Sequence, residues 1–343
     1  LICDRNDFHA TRQENSVGKA VSQPLVLVAF PFNETNDVAD SRKRKLNFSI
    51  SGLEIQQSRF NGHRAVKASP AMIQSASRPK NSEAEQPLIL RSQDARGVVT
   101  LTLNRPQAFN ALSEGMLAQL QNELDAIASD ESDRVVVIAA EGKAFCAGHD
   151  LKEMRADPSL RYYERLFAQC SDVMLTIQRL PLPVIARVQG IATAAGCQLV
   201  AMCDLAVASS TARFAVSGVN VGLFCSTPGV ALSRNVLRKQ AFEMLVTGEF
   251  ISAQEAKARG LINRVAEPEQ LDAELEKLVS AIISKPRVAV AMGKEFFYRQ
   301  AQLGIAAAYD AASQAMACNM MEEAALEGVQ AFIEKRPPRW NKE

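Results

Sequence analysis

Ala144-Phe-Cys-Ala-Gly-His-Asp-Leu-Lys-Glu-Met154 and Val188-Gln-Gly-Ile-Ala-Thr-Ala-Ala-Gly-Cys-Gln-Leu-Val200 decide how this chain folds. In both stretches a strand gives way to small residues and then to a helical pattern. The first follows Val135-Val-Val-Ile-Ala-Ala140, a continuous apolar run that suits a strand buried on both faces. The second starts at the end of Val184-Ile-Ala-Arg-Val188, another short strand, and leads into a helical run from Cys197 to Met202. A helix start leaves backbone N–H groups without intrahelical partners. His149, directly after Gly148, is positioned to present its N–H to an anion or a polarised oxygen. Small side chains at Ala194, Ala195 and Gly196 let a ligand approach the second loop closely, and the Ala195 N–H points out of a helix start. Two such donors aimed at one point make an oxyanion hole. Each loop taken alone also fits close packing without a ligand.

Outward from these loops, strand–helix repeats are followed by helices. Val98-Val-Thr-Leu-Thr-Leu103 alternates as a strand, and Asn104-Arg-Pro106 ends it. Ser113 caps a helix in which Met116, Leu117, Leu120, Leu124 and Ile127 recur at three and four. Tyr163, Leu166, Phe167, Cys170, Val173, Met174 and Ile177 mark a second amphipathic helix, stopped by Pro181 and Pro183. Strands are predicted over 204–208 and 212–215. Beyond Pro228, helices are predicted over 230–246, 253–259, 268–283, 287–302, 305–318 and 322–332. This order predicts an α/β core over 86–267 and an α-helical C-terminal region over 268–343. The tail carries apolar residues on more than one face (Ala311, Met316, Met320), which suits burial against the core or another subunit.

Residues 1–85 differ from the rest. Polar clusters such as Thr11-Arg-Gln-Glu-Asn15 and Ser41-Arg-Lys-Arg-Lys45 dominate, and no Met precedes Met72. A weakly structured extension is expected there, with a native start at Met72 as one reading. Asp4, Asp7 and Glu14 argue against a targeting peptide.

Composition narrows the function classes. A net charge of +1 gives no field for nucleic acid or an anionic membrane. One Trp and four Tyr offer little for base stacking. No apolar run reaches the roughly 18–20 residues of a membrane span. The seven Cys are scattered without metal-ligand spacing and read as buried free thiols in a reducing compartment, so no metal site is expected. No Gly-x-Ser-x-Gly elbow and no Gly-x-Gly-x-x-Gly after a strand occur, which disfavours a serine hydrolase and a dinucleotide site.

Together the two loops resemble the signatures of the enoyl-CoA hydratase/isomerase (crotonase) superfamily. Cys146 to Met154 looks like the first signature, and Val184 to Gln198 with Met202-Cys-Asp204 like the second. Asn110-Ala-Leu112, Pro228-Gly229, Leu245-Val-Thr-Gly-Glu249 and Ser252-Ala-Gln-Glu-Ala-Lys-Ala-Arg-Gly-Leu261 match in order, and the resemblance covers Leu88 to Arg336. It implies a spiral of ββα turns with a helical C-terminal oligomerisation region, in a homotrimer or dimer of trimers. It implies an acyl-CoA thioester as ligand, its oxygen held by the backbone N–H groups of His149 and Ala195. Around the CoA it implies Ala147, Asp150 and Leu151, with Arg105, Lys152 and Lys335 as phosphate partners, and no cofactor beyond the CoA moiety. Fatty-acid or related acyl-CoA metabolism follows, in the cytoplasm if the source is bacterial and in the mitochondrial matrix as the alternative.

Two positions depart from the family pattern. Its hydratases place glutamates where this chain has Gln198 and Gly218. Hydration of a conjugated double bond needs a base and an acid, and neither residue supplies one. Asp150, Glu153 and Glu164 are candidate substitutes, and Asp150 also suits a helix cap. The oxyanion hole alone would still serve a decarboxylase of a malonyl-type thioester, with His149 as a donor and Cys225 or water returning the proton. A thioesterase or a non-catalytic CoA-ester binder are the other readings.

Overall fold

The structure, a computed structural model, describes residues 86–340; the extension and start expected over 1–85 lie outside the described residues. Two sheets organise the chain. The larger contains β1 (Ile89–Gln93), β2 (Val98–Leu103), β3 (Val135–Ala140), β5 (Val184–Val188), β7 (Leu205–Ser209) and β10 (Arg264–Ala266), in that order. All its pairings are parallel except that of β1 with β2. The smaller contains β4 (Ala144–Cys146), β6 (Ile191–Thr193), β8 (Arg213–Ala215) and β9 (Ile251–Ser252). Here β4, β6 and β8 run parallel and β9 antiparallel. The chain therefore alternates: β3 then β4, β5 then β6, β7 then β8, one strand to each sheet. Helices follow most of these pairs, and the result is a ββα spiral.

The helices of the core are α1 (Glu114–Ala128), α2 (Leu151–Ala156), α3 (Leu160–Arg179), α4 (Ala195–Met202), α5 (Ser226–Asn235), α6 (Arg238–Thr247) and α7 (Ala253–Ala258). A helical region follows with α8 (Leu271–Ile283), α9 (Arg287–Gln300), α10 (Ile305–Met320) and α11 (Glu323–Ile333). The predicted cap of α1 is present: the Met116 N–H donates to Ser113 Oγ at 3.1 Å. Its apolar face (Met116, Leu117, Leu120, Leu124, Ile127) is fully buried, as the spacing demands.

β3 shows why its apolar run is unbroken. Val136 and Ile138 face the main core, while Val135, Val137 and Ala139 face a second cluster with Leu271, Leu278 and Val279 of α8. Each fully buried Val or Ile contributes roughly 1.5–3 kcal/mol of hydrophobic stabilisation. The predicted helix over 230–246 is two helices instead. Asn235 ends the first by donating from Nδ2 to the Ala201 and Ala231 carbonyls, both at 2.9 Å. A side-chain amide substitutes there for the Gly or Pro that would have marked the break.

Helix α9 is fastened to the core by a buried polar cluster. Lys294 of α9 donates from Nζ to the carbonyls of Ile177 and Leu182 and to Asp204 Oδ2, at 2.9, 2.9 and 2.7 Å. The Tyr298 hydroxyl donates to Asp204 Oδ1 and the Val184 N–H to Asp204 Oδ2, both at 2.7 Å. Burial pulls the Lys294 pKa down, and the adjacent Asp204 carboxylate opposes that pull. Removing one partner of such a pair strands the other charge in a low dielectric. Lys294→Met is expected to lose about 3 kcal/mol in urea unfolding; a loss under about 1 kcal/mol would show that this cluster does not fasten the helix.

Candidate active site

The site is set by the pairing of β4 with β6. Their register shifts between Ala144 and Cys146, so that Cys146 lies beside Ala192. Beyond these strand ends the chain runs on to His149 in the first loop and to Ala195 in the second. The two loops touch at Gly148 and Ala194. A Cβ added to Gly148 would lie 2.9 Å from Ala194 Cβ and 3.2 Å from the Ala195 nitrogen. Gly148 also has φ +89°, a conformation that side chains strain. Gly196 is small for another reason than the one expected: a Cβ there would strike the Cys146 carbonyl, not a ligand. Its absence lets α4 sit on the end of β4.

The turn before α1 frames the first loop. Asn110, fully buried, donates from Nδ2 to the carbonyls of Glu141 and Ala144, at 2.8 and 2.9 Å. The Ala147 N–H donates to the Phe109 carbonyl at 3.0 Å, and the Asp150 N–H to the Leu112 carbonyl at 3.3 Å. The Gly148 carbonyl accepts from the Leu112 N–H at 2.8 Å. Of the four N–H groups from 147 to 150, those of Ala147 and Asp150 thus donate to backbone carbonyls. The His149 N–H has no acceptor among the described residues. Nor does the Ala195 N–H, which opens α4. Unengaged N–H donors at a helix start are the type of group that stabilises a developing oxyanion.

The side chains around this point carry little acid–base capacity. Asp150 caps α2, accepting from the Lys152 N–H at 2.9 Å, and pairs with Arg105 Nη1 at 2.7 Å. Burial opposes its ionisation, but Arg105 and the two α2 N–H groups outweigh it and hold its carboxyl below the usual range. Glu153 Oε2 accepts from the Glu114 N–H at 3.0 Å, capping α1. Glu164 is exposed on α3. None of the three candidate substitutes is a buried, uncommitted carboxylate. Leu151, Lys152 and Lys335 are exposed, the last at the end of α11. Burial pushes the thiols of Cys146 and Cys197 up to about 12, so neither is a thiolate at neutral pH.

Gln198 lies in α4, 4% exposed, and its buried Oε1 has no hydrogen-bond partner among the described residues. Gly218 is enclosed: a Cβ there would meet the Leu223 carbonyl at 2.4 Å and Cys225 Sγ at 2.6 Å. Its N–H already donates to that sulfur at 3.3 Å. The second glutamate position is therefore physically filled. The His149 ring sits edge-on to Phe167, centroids 5.4 Å apart, with both ring nitrogens buried and without partners among the described residues. Burial lowers its pKa from the usual imidazole value.

Sequence reasoning missed the Lys294–Asp204–Tyr298 cluster and the Thr193–Ser217 hydroxyl contact at 2.8 Å beside the second loop. Asp204 did stand in the second signature, but its partners are some 90 residues away.

Known proteins share the sequence pattern and fold of this chain. The family model described as enoyl-CoA hydratase/isomerase matches residues 93–343. The mitochondrial enoyl-CoA hydratase domain-containing protein 3 of Rattus norvegicus is 47% identical over 266 residues, covering 78% of this chain and 88% of that one. The crystal structure of the human protein of that name is 46% identical with a TM-score of 0.72, over 74% of this chain and 100% of that one. A crystal structure of an enoyl-CoA hydratase from Mycobacterium smegmatis is 71% identical with a TM-score of 0.74, over 75% of this chain and 100% of that one. With the ββα spiral and this breadth of likeness, the chain belongs to the enoyl-CoA hydratase/isomerase family.

Proposed function

We propose that this chain binds an acyl-CoA thioester and polarises its carbonyl between the N–H groups of His149 and Ala195. One observation carries the reading: the Ala147 and Asp150 N–H groups are spent on the Phe109 and Leu112 carbonyls, while the His149 and Ala195 N–H groups, on loops that touch at Gly148 and Ala194, have no acceptor among the described residues. Removing one such donor typically costs about 10²–10³ in rate. Ala147, Asp150 and Leu151 would lie along the CoA. Arg105, Lys152 and Lys335 would meet its phosphates, with Arg105 held in place by Asp150. No group beyond the CoA moiety is needed.

Usual hydration is disfavoured in this site. Gln198 holds water but takes no proton, and the Gly218 position is filled by Cys225 and the Leu223 carbonyl. Loss of a general base lowers rates by about 10²–10⁴. A reaction that forms its enolate without a protein base suits these residues better. Loss of carbon dioxide from a malonyl-type thioester is one such reaction. The C–C bond breaks, its electron pair becomes the enolate, and water or the Cys225 thiol returns a proton. The His149 ring, whose nitrogens have no partner among the described residues, would give such a substrate carboxylate a hydrogen bond. A thioesterase or a non-catalytic CoA-ester binder are the alternatives.

We further propose a division at 267, with residues 268–343 assembling a homotrimer or a dimer of trimers. Exposed Phe297, Ile305, Tyr309, Met316 and Phe332 support burial against a second copy. The pathway would be fatty-acid or related acyl-CoA metabolism. The relatives named as mitochondrial favour the matrix, and the mycobacterial neighbour favours a bacterial cytoplasm. Among the described residues no helix is long and apolar enough to cross a membrane.

Titration calorimetry with acetyl-CoA is expected to show one saturable site per chain; no heat of binding at millimolar ligand would overturn the reading. Gly148→Ala places a methyl by the Ala195 nitrogen and is expected to weaken that binding at least about tenfold. Unchanged affinity in a folded variant would count against the site. Crotonyl-CoA hydration is expected to run about 10²–10⁴ below a two-glutamate enzyme, with malonyl-CoA turned over faster. Hydration at full rate would refute the argument from the missing base.

A further inference from the structure

Ala194 is the residue between the end of β6 and the start of α4. Its backbone has φ 50° and ψ −121°, a combination that a side chain strains and glycine accepts. The conformation is fixed from both sides. The Ala194 N–H donates to the Ala215 carbonyl of β8, and its own carbonyl accepts from the Gln198 N–H, both at 3.0 Å. The strand thus turns into a helix within a single residue. Glycine would make that turn without strain, yet the chain carries a methyl group here. That methyl faces Gly148: a Cβ built on Gly148 would come within 2.9 Å of it. The Ala194 side chain therefore lies between Gly148, the residue before His149, and the start of α4.

We propose that Ala194 is a positioning residue, whose strained methyl group holds the His149 and Ala195 donors at a fixed separation. The proposal rests on the acyl-CoA reading above. Without the methyl, nothing but backbone separates the loops, and the Gly148–His149 segment is free to shift toward α4. A shift of about 1 Å in such a site is enough to cost up to about 100-fold in the reaction it serves. Strain retained at a functional turn in this way is a known trade of stability for geometry.

The test is A194G, compared with A194S, which keeps a Cβ, and with the unaltered chain. Three quantities are read on the full protein: melting temperature, acetyl-CoA affinity by calorimetry, and the infrared carbonyl stretch of bound ¹³C-labelled acetyl-CoA. A194G is expected to melt higher, because the strain is relieved, and to bind about tenfold more weakly. Its carbonyl band should move back toward that of free thioester. A194S is expected to recover most of the affinity and the band position. A merely structural role would change the melting temperature and leave the carbonyl band alone, and that result would overturn the proposal. If the unaltered chain binds no acetyl-CoA, the underlying reading fails. If it binds and A194G matches it in affinity and band, only the role of Ala194 fails.

Discussion

The parallel pairing of β4 with β6 is the constraint on which the site depends. Two strands of three residues each, joined in one small sheet, bring helix starts from distant parts of the chain to the same edge. The register shift between Ala144 and Cys146 decides which residues meet there. A slip of one residue would set Cys146 against a different neighbour and turn side chains to the opposite face. Everything around the pair protects this register. Asn110 clamps the start of β4, the 109–112 turn takes up the spare hydrogen bonds of the first loop, and Gly196 lets α4 close on Cys146.

The same construction explains why this site is rich in donors and poor in bases. Carboxylates nearby are used as helix caps: Asp150 on α2, Glu153 on α1. Capping and pairing with Arg105 hold Asp150 ionised and tie it down, which unsuits it to shuttle protons near neutral pH. At Gly218 the backbone has closed in, with a thiol and a carbonyl where a side chain would emerge. The chemistry left to the backbone is electrostatic. On the proposed reading its donors would be fixed before any ligand arrives, and no reorganisation would be needed as charge develops.

Much of this was legible in the sequence, and the exceptions have physical causes. Runs such as Val98–Leu103 and Val135–Ala140 carry their period openly because each buries one or both faces of a large sheet. The short strands β4 and β6 were hidden, since three residues amid Gly and Ala show no period. β1 was hidden because only Ile89 of its five residues is buried. His149 and Ala195 were legible as positions after a small-residue turn. That the neighbouring N–H groups are spent was not, because their acceptors come from Phe109 and Leu112, far back in the chain. The anchoring of α9 by Asp204 and the sealing of Gly218 by Cys225 are tertiary facts of the same sort.

A crystal structure of the protein with a bound, slowly turning acyl-CoA analogue tests the central claim most directly. The account predicts the thioester oxygen at about 3 Å from both the His149 and the Ala195 nitrogens. A thioester oxygen lying away from these two nitrogens, or held by side chains instead, would contradict it.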